Sequence, residues 1–456
     1  MIALRGQCQG GPIAGKGRIV PVLCLALPAV GEQLLNMMVG LVDTYMVGHL
    51  GAASIAAVSI SNQVVMLALV LFAAVATGAT VFVAHCIGAR DLHAASSAVG
   101  QSLLVGAPVG LATGIAGMVF APQAARIMGA ADDSLPLAAA YLRIVSASLP
   151  LATCMFIGTA CLRGAGDTMS TVRVMMLVNV VNMGVAASLI HGSFGLPKLG
   201  VVGSAVGAAC ARSLGGIVIL TVLWRGRAGL RLNPGTLAPD WALIRRVLSI
   251  GIPTGLEQLA FRGADMLYFR VVASLGTAAC AAHAVSLNIE SLSYSPGFGF
   301  GVAATALVGQ GLGGSDPKRA ESDGWLSFAL GGGVMSLMGL MFVAFPQQFL
   351  RVMTNDPEVI RLGVGPLRLV GFAQPFLASA IILAGALRGA GDTRFPMLSN
   401  GLNSLVTRFG LAVLFVNVLH LGLMGAWYAL FLDITARGVL CLVRFRSGAW
   451  RRGKVR

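Results

Sequence analysis

Leu162–Thr168 reads LRGAGDT, and Leu387–Thr393 reads LRGAGDT again. The seven identities recur at an offset of 225 residues (387 − 162) in a chain of 456. At that same offset Pro28 pairs with Pro253, Glu32-Gln33-Leu34 with Glu257-Gln258-Leu259, Leu50-Gly51 with Leu275-Gly276, and Ala56-Ala57 with Ala281-Ala282. Gly88 and Asp91 pair with Gly313 and Asp316; Leu142-Arg143, Pro150 and Ala211-Arg212 pair with Leu367-Arg368, Pro375 and Ala436-Arg437. A register that holds across half the chain without a shift marks a duplicated unit.

Hydrophobic residues make up 56% of the chain and charged residues 11%, with a mean hydropathy of +0.83. These values lie outside the soluble range and define an integral membrane protein. The net charge of +15 would suggest nucleic acid in a soluble protein. In a membrane protein, basic cytoplasmic loops are the simpler account, and no nucleic-acid partner is expected. The first apolar run is too long for a cleaved signal segment. The eight cysteines form no CxxC pair; they read as small core residues, and no metal or cofactor is expected.

A spanning helix needs about 20 apolar residues. Glycine, proline and charge divide the sequence into twelve such runs, near 18–47, 53–86, 97–121, 136–162, 171–191, 200–224, 243–272, 277–311, 324–346, 361–387, 396–419 and 422–444. The expected fold is all-α and integral to the membrane, two six-helix bundles (18–224 and 243–444) joined by a cytoplasmic linker (225–242). A short segment (1–17) precedes them and a basic tail (445–456) follows. Six spans per repeat return each half to its starting side, which makes the repeats parallel. Arginine and lysine crowd the N-terminus, the even loops, the linker and the tail, whereas the odd loops hold only Arg126, Lys198, Arg351 and Arg361. Both termini and both LRGAGDT loops are therefore expected on the cytoplasmic side. No polar segment is long enough for an ATPase module, so work must come from an ion gradient or from diffusion.

Charges inside spans cost a few kcal/mol or more and need partners, water or a functional reason. Asp43 has no basic neighbour on its helix, and its repeat mate is Tyr268. Two readings stand: a solvated aspartate near the helix end, or a desolvated acid that titrates as a coupling group. Pro28, fifteen residues earlier, removes a backbone hydrogen bond and can hinge that helix. Glu32 and Glu257 each follow a proline by four residues, which favours a structural task such as bonding the backbone freed there, with ion binding the other reading. Asp265 lies two turns beyond Glu257, with Arg262 placed to neutralise it. Together with Glu290 they are secondary candidates for a charged site in the second half. Arg408 and Asp433 fall at similar depth on adjacent antiparallel spans and are expected to form a structural ion pair.

Catalytic motifs fail. GAGDT lacks the lysine and spacing of a P-loop, there is no HExxH or GxSxG, and the six histidines are scattered. No enzyme activity is expected.

With these residues in hand the chain resembles the multidrug and toxic compound extrusion (MATE) family. The resemblance rests on LPAVGEQL and VDTYMVGHLGAASIAAVSISN in the first two spans, IGARD and LGGSD after the second and eighth, both RGAGDT loops, and NVVN in the fifth. It implies a V of two six-helix lobes in which H+ or Na+ uptake drives expulsion of amphipathic, often cationic, organic molecules. It further implies that Asp43, after Pro28, couples the ion, with Asn182 matching the family's fifth-helix asparagine and Asn179 one turn away; Asp43 and Asn182 would be the ligands if the ion is Na+. Where some relatives carry further oxygen ligands this chain has Ala186 and Ala208, and a thinner set suits a proton better. The expectation is an H+-coupled antiporter, monomeric, in the bacterial inner membrane. The alternatives are an exporter or flippase of lipid-linked or natural products and, outside transport, a channel or scaffold.

Overall fold

The computed structural model describes residues 19–48, 51–192 and 197–452. The side chains of residues 41–45, Asp43 among them, lie outside the described set. Twelve long helices carry the fold. In the first repeat they are α1 (Ile19–Gly48), α2 (Ala52–Gly88), α3 (Leu92–Val119), α4 (Leu135–Ala147 and Leu149–Gly164), α5 (Thr168–His191) and α6 (Val201–Trp224). In the second they are α7 (Trp241–Ala273), α8 (Thr277–Gly313), α9 (Pro317–Ala344), α10 (Pro357–Gly389), α11 (Arg394–Val418) and α12 (Gly422–Arg446). Among the described residues the only strand-like pairing is one bridge, Arg227 to Leu230.

Each helix covers one of the twelve apolar runs. Among the described residues nine are long and apolar enough to cross a membrane by themselves, and α4 makes ten if its two pieces, bent by 55°, are one span. The bend falls where Pro150 removes a hydrogen bond from the α4 ladder. Helices α7 and α8 have ample length, 33 and 37 residues. Their polar content, Glu257, Arg262 and Asp265 in α7 and Glu290 among serines and Asn288 in α8, lowers their hydropathy. Two short helices, Ala121–Ile127 and Pro346–Met353, follow α3 and α9 at the repeat offset. Helix α10 widens to π geometry at Ser379–Leu383, just after Pro375, and α11 does so at Met397–Leu402, Ser404–Phe409 and Leu414–Val418. Cys24 is disulfide-bonded, a departure from the small-core reading of the cysteines; a search for CxxC detects only local pairs.

The sequence division into 18–224 and 243–444 follows the repeat, but the compact units do not. One unit is Gly31–Ile252; the other ends its first segment at Val30 and resumes at Pro253. Both boundaries fall just beside the repeat-paired prolines, Pro28 in α1 and Pro253 in α7. The cause is close packing on glycine and alanine. In the second unit Val22, Leu25 and Ala26 of α1 share a buried cluster with Val272, Ala303 and Phe300, and a Cβ on Gly299 would stand 2.4 Å from Val30 Cγ2. In the first unit a Cβ on Gly251 would stand 2.0 Å from the Ala74 carbonyl oxygen, and one on Gly78 2.1 Å from that of Val247. Ala26 with Gly299 and Gly251 with Ala74 are one contact, used twice at the repeat offset.

The linker is strapped down rather than loose. Gln101 of α3 donates to the carbonyls of Thr236 (3.0 Å) and Ala238 (2.6 Å) and accepts from the Asp240 amide (3.0 Å). Leu230 is fully buried, and Thr236 closes a capping box with Asn233.

Candidate functional site

The glycines, the arginine and the aspartate of LRGAGDT each have a physical task. The first glycine allows close approach: a Cβ on Gly164 would stand 2.4 Å from the Thr80 carbonyl oxygen, and one on Gly389 2.3 Å from that of Thr305. The Thr80 and Thr305 hydroxyls reach back to the carbonyls of Ala160 and Gly385, at 3.0 and 2.9 Å. The second glycine turns the chain with positive φ, 90° at Gly166 and 83° at Gly391, a region that only glycine enters without strain. Asp167 caps α5 through the Ser170 amide (3.0 Å) and pairs with Arg227 (2.9 Å), while Asp392 pairs with Arg444 (2.9 Å).

The arginines answer the question posed by Glu32 and Glu257. Glu32 does not bond backbone freed at Pro28; its carboxylate accepts from Arg163 Nη1 (2.8 Å) and the Thr171 hydroxyl (3.0 Å). Glu257 accepts from Arg388 Nη2 (2.6 Å) and Asn400 Nδ2 (2.8 Å). Both glutamates are buried. Each bond ties the helix segment after a proline to the LRGAGDT loop of its own unit. Sequence reasoning missed Arg163 and Arg388 as partners, although a signal existed. Opposite charges that are both doubled at one offset are candidates to pair.

The first unit packs the helix of Asp43 against the helix of Asn179 and Asn182. Met46 of α1 shares a buried cluster with Ala186 and Ile190 of α5. Four spans apart, α1 and α5 cross in the same direction, so one turn back along both brings position 43 level with Asn182. Asn182 is buried, and Asn179 has its Nδ2 buried without a partner among the described residues. The Asp43 side chain lies outside those residues. Ala186 and Ala208 are buried and add no oxygen ligand.

The second unit contains a denser cluster. Asp433, fully buried, accepts from Arg408 Nε (3.0 Å) and Ser404 Oγ (3.1 Å) and pairs with Arg437 Nη2 (3.1 Å). Asn403 Nδ2 donates at 3.3 Å to the oxygen that Ser404 bonds, Oδ1, while both arginines hold Oδ2. Arg408 also pairs with Asp265 through Nη1, and both guanidinium groups lie over the Phe261 ring, at 4.8 and 5.2 Å from its centroid. The partner of Asp265 is thus Arg408 from α11, not its helix neighbour Arg262, which is exposed. Glu290 forms no salt bridge or side-chain hydrogen bond among the described residues, with Arg408 and Arg437 its nearest opposite charges. No group of three His, Cys, Asp or Glu suited to a metal ion occurs among the described residues.

Two helical repeats that each enclose polar groups among membrane-length helices, with proline-interrupted first helices and a doubled interhelical motif, define a secondary transporter of the internally duplicated class. A MatE family model matches residues 28–187 and 253–414, one match per repeat. The chain belongs to this MATE family, whose members are secondary transporters coupled to cation gradients rather than enzymes. It is 32% identical to the probable multidrug resistance protein NorM of Thermotoga maritima over 441 residues, 94% of this chain and 93% of that protein. It is 28% identical to the uncharacterized transporter YisQ of Bacillus subtilis, over 93% of this chain and 94% of that one. In structure it is similar to a crystal structure of MATE in the bent conformation, with a TM-score of 0.88 at 21% identity over 95% of each chain. The twelve-helix fold is thereby shown.

Proposed function

We propose that the chain is an H+-coupled antiporter of the bacterial inner membrane that exports amphipathic, cationic organic molecules. Its relative of 32% identity is named a probable multidrug resistance protein, which supports organic compounds as cargo. The observation that carries the ion reading is the first-unit geometry. Met46 packed on Ala186 and Ile190 sets position 43 level with Asn182, while apolar Ala186 and Ala208 stand where further ligands would be needed. Sodium requires several oxygen ligands at once; a proton requires one basic oxygen. An aspartate on a helix that packs beside the Asn182 helix in an apolar bundle is suited to that task.

In this reading protonation of Asp43 removes its need for polar partners and lets α1 bend at Pro28, which narrows the first lobe and expels cargo. Alternating access then reuses the two proline positions where the compact units divide. The test is ethidium efflux from reconstituted vesicles with a pH gradient or a sodium gradient imposed separately. Efflux driven by protons and lost in Asp43→Asn is the expected result. Full proton-driven efflux in Asp43→Asn would overturn the assignment, and efflux driven by sodium alone would overturn the choice of ion.

A further inference from the structure

The repeat offset relates the two polar clusters residue by residue. LRGAGDT before α5 and α11, and Ala-Arg in α6 and α12, hold the 225-residue register on either side of the fifth span. Within that frame Asn179 corresponds to Ser404, Asn182 to Thr407, Ala208 to Asp433, and Asp43 to Tyr268. Asp265 lies one turn before Tyr268 and on the same face. The second repeat therefore gathers two carboxylates and the α11 hydroxyls and amide at the place where the first repeat carries Asp43, Asn179 and Asn182. Between those carboxylates stands Arg408, on Asp433 at 3.0 Å, on Asp265, and over the Phe261 ring at 4.8 Å.

We propose that the second repeat contains a monovalent-cation site of the same plan as the first, and that Arg408 fills it from within as a tethered guanidinium. The inference rests on the reading of Asp43 as the coupling acid. Two carboxylates and an aromatic face form a seat for a planar cation, which a guanidinium fits better than a spherical ion. An arginine does not lose its proton in a protein and cannot exchange with solvent. The second repeat is thus withdrawn from the ion gradient, and one cation accompanies each transport cycle. The π-helical stretch Ser404–Phe409 contains both Ser404 and Arg408, at a place where such widening often marks a functional site. Asp265 keeps 39% of its side chain exposed, which leaves a route by which a small cation could reach the seat once the arginine is gone.

The test uses full-length protein in detergent, in an Asp43→Asn background so that the first-repeat acid contributes nothing. Thermal unfolding is followed with Arg408 intact and with Arg408→Ala, each with and without about 20 mM guanidinium, methylammonium or sodium, against choline at equal ionic strength. The expected result is a rise of about 2 °C or more in Arg408→Ala with guanidinium, a smaller one with methylammonium, and none with Arg408 intact. No differential response in folded Arg408→Ala overturns the proposal. Where Arg408→Ala is recovered folded only when guanidinium is present during extraction, the proposal is equally supported. Where it is recovered under neither condition, Arg408→Ala/Asp265→Asn, which removes one charge of each sign and leaves the Asp433–Arg437 pair in place, decides. The proposal requires this variant to fold and to ignore guanidinium; its failure to fold assigns Arg408 to packing and overturns the cation site. Because the readout is binding rather than efflux, failure of the Asp43 reading in vesicles and failure of this proposal are distinguishable.

Discussion

Glu32 and Glu257 show what a single side chain does in this protein. Each is held by an arginine 131 residues away along the chain, and each sits four residues beyond a proline. Breaking a buried pair leaves an uncompensated charge. Arg163→Ala or Arg388→Ala is expected to cost about 2 kcal/mol or more, somewhat below the roughly 3–5 kcal/mol of fully buried pairs because each arginine keeps partial exposure. Thermal unfolding of the purified variants measures the loss. If the pair itself is the cause, Glu32→Gln/Arg163→Met loses less than either single change. At Asp43 the expected outcome is separate from stability: Asp43→Asn folds, binds ethidium and no longer exports it under a pH gradient. The sequence made both glutamates visible as paired equivalents, because duplication repeats charge as well as apolar pattern. It could not name their partners, since nothing local links a residue in α1 to a loop after α4. The pairing of Asp265 with Arg408 was hidden for the same reason. Helical spacing offered Arg262, three residues away, while the structure supplied a guanidinium from another helix.

At the scale of the element, helices were legible because a bilayer permits little else: backbone groups must bond within the segment, and a span needs about 20 apolar residues. The π-helical stretches of α11 were not legible, because its polar residues Asn400, Asn403, Ser404, Thr407 and Arg408 recur at ordinary α-helical spacing and carry no sign of the widening. Nor were the short helices at Ala121–Ile127 and Pro346–Met353, whose residues fell almost wholly in the connections after runs 97–121 and 324–346. The first glycine of LRGAGDT yields a sharper expectation. Gly164→Ala and Gly389→Ala place a methyl group against the Thr80 and Thr305 carbonyl oxygens, at 2.4 and 2.3 Å, and each is expected to destabilise by about 1–3 kcal/mol. Gly333→Ala, with nothing within 4 Å of the new methyl, is expected to be neutral or slightly stabilising in α9. Comparing the three melting temperatures separates close packing from helix propensity. Pro28→Ala restores a hydrogen bond to α1; the expected outcome is slower ethidium efflux with unchanged melting temperature, measured in the same vesicles.

Across the whole molecule, the duplication was the most legible property and the most misleading one. It located twelve spans and two equivalent motifs, and it suggested that each repeat is also a packing unit. The units follow contacts instead. Ala26 against Gly299 and Gly251 against Ala74 assign the first part of each leading helix to the compact body of the other repeat. A 225-residue offset records ancestry, whereas packing depends on which small residues meet. Cutting the strapped linker near Gly235 is therefore expected to leave two fragments that copurify, and omitting residues 19–30 is expected to destabilise the second unit; coexpression with a tag on one fragment tests the first and melting the second.

That exchange of helix segments also bears on how such a chain could arise. A single six-helix repeat would leave the small-residue groove on its second helix uncovered and would carry, ahead of its proline, a segment with no place in its own core. Two identical copies could satisfy each other by trading those segments about a twofold axis along the membrane normal. Joining two such copies by one covalent connection would make that trade permanent and leave the two halves free to diverge.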